Sequence, residues 1–211
     1  MILIGQYDSP FVRRVGIALT LYGMAFEHRP WSVLDDADRI AALNPLIRVP
    51  VLVLDDGFVL TDSHIILDHL DSLADEPLFP HAEPERHHAL KVATLAMGLA
   101  EKAVSLFYER RFYGHLRHEV VSQRWAARCQ RQIGGVLAAL EADRASRPAP
   151  YWFGERLGHA DIAVACALRF VGEAHGGVVD LTACPALRAH GAALEATAEF
   201  RLIAQAFIPR A

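Results

Sequence analysis

A proline stands directly before an unbroken apolar run: Pro50, then Val51-Leu52-Val53-Leu54. A run of this length and type reads as a buried strand. Proline fixes φ and has no N–H, so within sheets it is confined to edges, strand starts and bulges. A proline opening a buried strand therefore points to a special turn, of which a cis peptide is one form. Such a turn leaves the N–H and C=O of Val49 unpaired and facing outward, and backbone polar groups need partners. A peptide-like ligand lying extended beside residue 49 can supply them, in the manner of strand addition at a sheet edge. Two more groups fit the same kind of ligand. Thr61-Asp62-Ser63 opens a helix that can hold a charged end. Ser9-Pro10 opens another, with Ser suited to the N-cap and Pro to the first helical position. The Ser9 hydroxyl then stands at the positive pole of a helix, where an anion is stabilised.

These groups need a scaffold that brings them together, and the pattern along the chain supplies one. Residues 2–6 read as a first strand. Val12, Val15, Leu19 and Tyr22 line one face of the helix begun at Ser9-Pro10, and Gly23 ends it. Residues 25–31 form a second strand and 35–43 a short helix, stopped by Asn44-Pro45. The strand at 51–54 turns at Asp55-Asp56-Gly57 into a hairpin partner at 58–60. Residues 62–73 form a helix with Ile66, Leu70 and Leu73 facing inward. The order is βαβ, a helix, then ββα, which implies a parallel pair with an antiparallel hairpin added. Glu76-Pro77-Leu78-Phe79-Pro80-His81 is a proline-rich boundary. Beyond about Pro84 only helical periodicity remains, with helices expected near 84–112, 117–144, 159–174 and 185–206. The chain thus divides into an α/β domain at residues 1–76, a linker at 77–85 and an all-helical domain at 86–211.

Composition narrows the function classes. A net charge of −4 in 211 residues carries no basic footprint for nucleic acid. No apolar stretch is long enough to span a bilayer, and residues 1–5 lack the basic flank of a signal peptide. Three cysteines, Cys129, Cys166 and Cys184, form no C-x-x-C and no even set, so a reducing, cytoplasmic setting is expected. Eleven histidines include the adjacent His87-His88 and the i, i+3 pair His115 and His118, but neither pair has a third ligand, and no metal is expected.

A βαβ–ββα unit with a proline before its third strand is the thioredoxin pattern. Redox members begin the first helix with a cysteine; here Ser9-Pro10-Phe11-Val12 has no thiol, which removes dithiol chemistry. The chain resembles the cytosolic glutathione S-transferases on four motifs in register. These are Ser9-Pro10-Phe11-Val12-Arg13-Arg14, Asn44-Pro45 ahead of Arg48-Val49-Pro50-Val51-Leu52, Asp62-Ser63, and Gly158-His159-Ala160-Asp161-Ile162-Ala163. Tyr108-Glu109-Arg110-Arg111-Phe112 also resembles a bacterial, YibF-like, serine-type subgroup, without a role assigned to it.

The resemblance implies a thioredoxin-like domain followed by an all-α domain, glutathione as co-substrate, a homodimer and a small apolar electrophile as second substrate. It implies that Ser9 donates a hydrogen bond to the glutathione sulfur, with Tyr7, at the end of the first strand, as the rival hydroxyl. A free thiol has a pKa near ~8.5, and lowering it by roughly two units takes about 2.7 kcal/mol. One charge-assisted hydrogen bond and a helix terminus are of that order. The resemblance further implies main-chain pairing at Val49, the γ-glutamyl end at Asp62 and Ser63, and the glycyl carboxylate at Arg48, whose other reading is a solvated charge. Phe11, Tyr108, Phe112 and Tyr113 can line the second-substrate pocket or simply be core. Pro50 and Asp161 are structural. Asp161 returns a capping-box bond to a helix whose N-cap, Gly158, offers no side-chain oxygen, so half the box is missing. Peroxidase, dehalogenase, non-catalytic binding and protein-interaction roles use the same scaffold; an isomerase role is disfavoured because the Ser-Ser-Cys signature is absent.

Overall fold

The structure, a computed structural model, describes residues 1–113 and 119–207, with backbone alone at 112–113 and 119–122. His115 and His118 lie outside the described residues. Four short strands form one sheet: β1 (Ile2–Ile4), β2 (Glu27–Arg29), β3 (Val51–Val53) and β4 (Val59–Thr61), in the order β2-β1-β3-β4. β1 and β2 are parallel, and α1 (Pro10–Leu21) makes the crossover between them. β3 runs antiparallel to both β1 and β4. The register decides what meets at the sheet end. Ile4 lies opposite Arg29 and Val51, and Val51 lies opposite Thr61. The segments just after β1, just after β2, just before β3 and just after β4 therefore emerge at one edge. Gly5 closes β1 there with φ +125, and a Cβ on it would stand 2.8 Å from the Cβ of Val49. Only glycine permits that approach. It also explains why the strand stops two residues short of the expected 2–6.

α1 starts at Pro10 with Ser9 as N-cap, and Gly23 (φ +64) follows its end. Val12, Val15 and Leu19 are buried against the sheet and α3 (Ser63–Leu73). The opposite face of α1 is buried too. The Arg13 guanidinium pairs with both carboxylate oxygens of Glu195 and donates to the carbonyls of Phe200 (2.9 Å) and Ile203 (2.8 Å). The expected helix at 185–206 is two, α7 (Pro185–Glu195) and α8 (Ala198–Leu202), broken at Ala196–Thr197. The break lets late carbonyls turn towards Arg13 instead of continuing a helical ladder. Leu73 is 58% exposed rather than inward-facing. α3 ends there and Ala74 is already extended, so the last turn is left uncovered.

α4 (Glu85–Tyr108) widens into a π turn at Glu109–Tyr113, followed by α5 (Glu119–Ala145) and α6 (His159–Ala174). α4, α5 and α6 enclose the main core of the second domain. α6 is buried on every side from Ile162 to Leu168, as its unbroken apolar sequence requires.

The start of α6 is also the joint between the domains. Asp161 Oδ2 accepts from the Gly158 N–H at 2.9 Å, which is the one half of a capping box that a glycine N-cap allows. The linker supplies an acceptor in place of the missing half: the carbonyl of Leu78 accepts from the His159 N–H at 3.2 Å. A Cβ on Gly158 would stand 2.8 Å from that same carbonyl oxygen. Gly158→Ser should therefore destabilise the protein, by about 1–3 kcal/mol for a forced backbone shift, rather than restore a cap. A lower urea midpoint at unchanged slope is the expected result.

His159 is fully enclosed at this joint. Its Nε2–H donates to Asp71 Oδ1 at 2.7 Å, and Asp71 also accepts from the Tyr22 hydroxyl, which in turn accepts from the Leu78 N–H. Burial pushes the His159 imidazole below its ordinary pKa, helped by the charge of Arg14 and only partly opposed by Asp71. Burial alone would raise Asp71, but the His159 hydrogen bond holds it below the usual carboxylate range. The histidine is thus neutral in the fold and titrates nearer 6.5 when unfolded. Its contribution is complete above that value and is lost as pH falls through the lower folded pKa. Stability should decline from about pH 6.5 downward, and His159→Gln should flatten the decline in denaturant titrations between pH 7 and 5. Buried His175, shifted the same way by burial, keeps some slope in the variant.

Candidate functional site

The end of the sheet opens onto a cavity of ≈ 240 Å³ between the two domains. Of the residues singled out in the sequence, Ser9, Phe11, Arg48, Val49 and Tyr108 line it. Tyr7, Pro50, Asp62, Ser63 and Asp161 do not. The side chain of Phe112 lies outside the described residues, as does that of Tyr113.

The Val49–Pro50 peptide is cis. Among the described residues nothing pairs with the N–H or C=O of Val49. The loop before it is held from below. Buried Asn44 donates from Nδ2 to the Arg48 carbonyl at 2.9 Å, and its Oδ1 accepts from the Leu46 N–H at 3.1 Å. The Asn44-Pro45 pair thus shapes the segment that presents residues 47–49. Among the described residues two non-glycine residues have positive φ, Ile47 (+50) and Asp62 (+69). They flank β3 and β4 at the same sheet end. Such conformations cost about 1–3 kcal/mol each and gather at ligand clamps.

Ser9 occupies the N-cap with extended backbone (φ −72, ψ 122), but its hydroxyl makes no capping hydrogen bond. Nor does the first turn of α1 contain an acidic residue. The hydroxyl and the positive helix pole are both unspent and both face the cavity. Tyr7 differs. Its ring stacks on His28 at 3.8 Å between centroids and 7° between planes, and it packs among core residues of both domains. Burial pushes its phenol up to about 12.

At the start of α3, Asp62 spends its carboxylate on the His64 N–H at 2.8 Å. Ser63 is 3% exposed, and its Oγ accepts from Arg14 Nη1 at 3.4 Å. Arg14 is itself fully buried, with Nε and Nη2 unpaired among the described residues. Burial lowers its pKa to about 10, which still leaves a cation beneath the α3 N-terminus. This second positive locus is separate from the cavity lining.

Further walls include Asp8 beside Ser9, Trp31 and Ser32 after β2, Val104, Phe107 and Arg111 on α4 and its π turn, Phe170 on α6, and Phe207. Sequence reading missed Trp31, Phe107, Phe170 and Phe207. Val104, Phe107, Tyr108 and Arg111 stand at i, i+3, i+4 and i+7, a one-face spacing that could have revealed three of these walls. Phe170 had no such signal, because α6 is apolar all round, and Phe207 lies beyond the last helix.

Comparison with known proteins matches the fold that carries this cavity. The description "Glutathione S-transferase, N-terminal domain" fits residues 3–78, and "Glutathione S-transferase, C-terminal domain" fits residues 123–191. The chain belongs to the glutathione S-transferase family. A solved glutathione S-transferase of Methylobacterium radiotolerans, in complex with glutathione sulfonate, superposes with a TM-score of 0.87 at 28% identity over 100% of this chain and 98% of that one. The fold is therefore the transferase fold, a thioredoxin-like domain with a helical domain behind it. The uncharacterised GST-like protein YibF of Escherichia coli is 34% identical over 48% of this chain and 50% of its own length. Maleylacetoacetate isomerase of Pseudomonas aeruginosa is 29% identical over 89% of this chain and 88% of its own. The chain spans about half the length of the first curated relatives it matches. Among the described residues no helix is long and apolar enough to cross a membrane.

Proposed function

We propose that this transferase-family chain binds glutathione extended along residue 49 and activates its sulfur for attack on a small electrophile. The observation that carries this reading is the juxtaposition of an unpaired Val49 main chain with an uncapped Ser9 hydroxyl in one cavity. Val49 takes the cysteinyl backbone in strand-like pairing. Ser9 and the α1 pole hold the thiolate. Arg48, exposed on the loop beside Val49, holds the glycyl carboxylate. The α3 N-terminus at Asp62 and Ser63, with cationic Arg14 beneath, takes the γ-glutamyl carboxylate. Phe11 and Tyr108 form part of the pocket for an apolar second substrate. The reaction needs no metal: the thiolate forms a bond to the electrophilic carbon and a leaving group departs. A homodimer follows the family reading, and Phe58 (62% exposed) and Ile65 (57% exposed) are apolar side chains that such a partner would cover. A cytoplasmic, detoxifying role follows the same family reading.

The likeness to an isomerase favours a second reading, in which the thiolate adds to and leaves an unsaturated acid. Ser9-Pro10-Phe11 in place of a Ser-Ser-Cys signature counts against it. The test is a glutathione titration followed by ultraviolet absorbance of bound thiolate, then turnover with a haloarene, a hydroperoxide and a cis-unsaturated acid. Conjugation is expected. Dimerisation without any glutathione binding would leave a protein-interaction role instead.

A further inference from the structure

The α4 stripe that walls the cavity reads Val104, Phe107, Tyr108, Arg111. Three members are apolar or aromatic; the fourth, at the spacing where the stripe calls for another, is an arginine. Arg111 rides on the π turn Glu109–Tyr113 and is half-buried. Half-exposed beside aromatic walls, its guanidinium is met by water, which a planar carboxylate can replace. Among the described residues no carboxylate or carbonyl pairs with Arg111. Among the described residues the cavity lining holds two guanidiniums, Arg48 and Arg111, and one carboxylate, Asp8. Arg48 and Asp8 lie on the first-domain side, next to Val49 and Ser9. Arg111 stands on the helical side, with Phe107, Tyr108 and Phe170.

Resting on the glutathione reading above, we infer that Arg111 is a specificity-determining residue that binds a carboxylate on the second substrate. The substrate class is then an electrophile with a small apolar or aromatic body and an anionic end, not a purely apolar one. The aromatic walls take the body, and the planar guanidinium takes the carboxylate in a two-pronged pair. Because Arg48 already lies beside the main-chain rung of glutathione, the two arginines serve different ligands.

Calorimetry on the full chain tests this with two pairs of ligands. The first is S-benzylglutathione against S-(4-carboxybenzyl)glutathione. The second, without glutathione, is 3-phenylpropanol against 3-phenylpropanoate. The wild type is expected to favour the carboxylated member of each pair by at least tenfold. Arg111→Gln, or Arg111→Met to retain the apolar stem, is expected to abolish that preference, whose roughly tenfold size is that of a charged hydrogen bond, and to leave the neutral ligand within about twofold. No preference in the wild type, or a preference that survives both variants, overturns the inference. Equal weakening of both conjugates and of glutathione itself overturns it too, because Arg111 would then hold the glycyl end. If no glutathione conjugate binds the wild type, the proposed function fails, and the phenylpropanoate pair decides Arg111 alone by the same criterion.

Discussion

Ser9→Ala is expected to lower kcat/KM for glutathione conjugation roughly 10- to 150-fold, the worth of a hydrogen bond to a charged group at 1.5–3 kcal/mol. The same change should raise the pKa of bound glutathione by about one to two units, at ~1.36 kcal/mol per unit. The loss should therefore be largest near neutral pH and shrink in alkaline solution, where the thiol ionises without help. Tyr7→Phe should leave kcat/KM within about twofold, since a phenol stacked on His28 and absent from the cavity lining has no reach to the sulfur. The two hydroxyls have contrasting surroundings. Ser9 is an N-cap residue that does not cap, so its hydroxyl is available. Ultraviolet titration of bound thiolate gives the pKa directly, and steady-state rates give the loss. Undiminished thiolate and turnover in Ser9→Ala would remove Ser9 from the mechanism. The same undiminished values with a deficit in Tyr7→Phe would transfer the role.

The largest stability effect is expected at Asp161. Its carboxylate is 1% exposed and joins three segments. Oδ1 accepts from the Trp152 N–H at 2.8 Å, and Oδ2 from the Gly158 N–H at 2.9 Å. His190 Nε2 lies 3.0 Å from Oδ1 but off the line of a hydrogen bond. The His190 ring is oriented from its other side, where Nδ1 accepts from Arg144 Nε at 3.2 Å. Asp161→Ala strands the buried Trp152 N–H, worth about 1–3 kcal/mol when orphaned, and removes the Gly158 bond that caps α6, worth about 0.5–2 kcal/mol. A loss of about 2–5 kcal/mol is expected, or roughly 4–20 °C in Tm at 2–4 °C per kcal/mol for a chain of this size. Asp161→Asn keeps one acceptor and should lose about half as much. Because α6 carries Phe170 into the cavity, glutathione binding should persist at low temperature and fail along with the fold on heating. A melting point unchanged in Asp161→Ala would show that the joint is held elsewhere, with Arg13 and its contacts to Glu195, Phe200 and Ile203 as the next candidates.

The local features were readable wherever they depend on neighbours in the chain. Ser9-Pro10 marks the start of α1 because the N1 position tolerates a residue without an N–H. Pro50 before four apolar residues marks the cis turn and β3 because an interior strand cannot accept that ring. Gly158 ahead of Asp161 marks half a cap, since glycine has no oxygen to return. Strand ends and the division of 185–206 were less legible: Gly5 stops β1 because Val49 comes within 2.8 Å of its would-be Cβ, a contact between residues forty-four apart. Leu73 shows the limit of periodicity, which identifies a face but not whether anything covers it.

The order of strands and helices, the Ser9-Pro10 helix start and the unpaired rung at residue 49 all follow from chain chemistry that acts over a few residues. The contrasting surroundings of Ser9 and Tyr7, the linker carbonyl that stands in for a missing cap, the buried cation under α3 and the aromatic cavity with Arg111 on its far wall do not. Each is made by side chains that are distant in sequence and meet only after the two domains pack, and no local pattern encodes which of several equivalent faces another domain will cover.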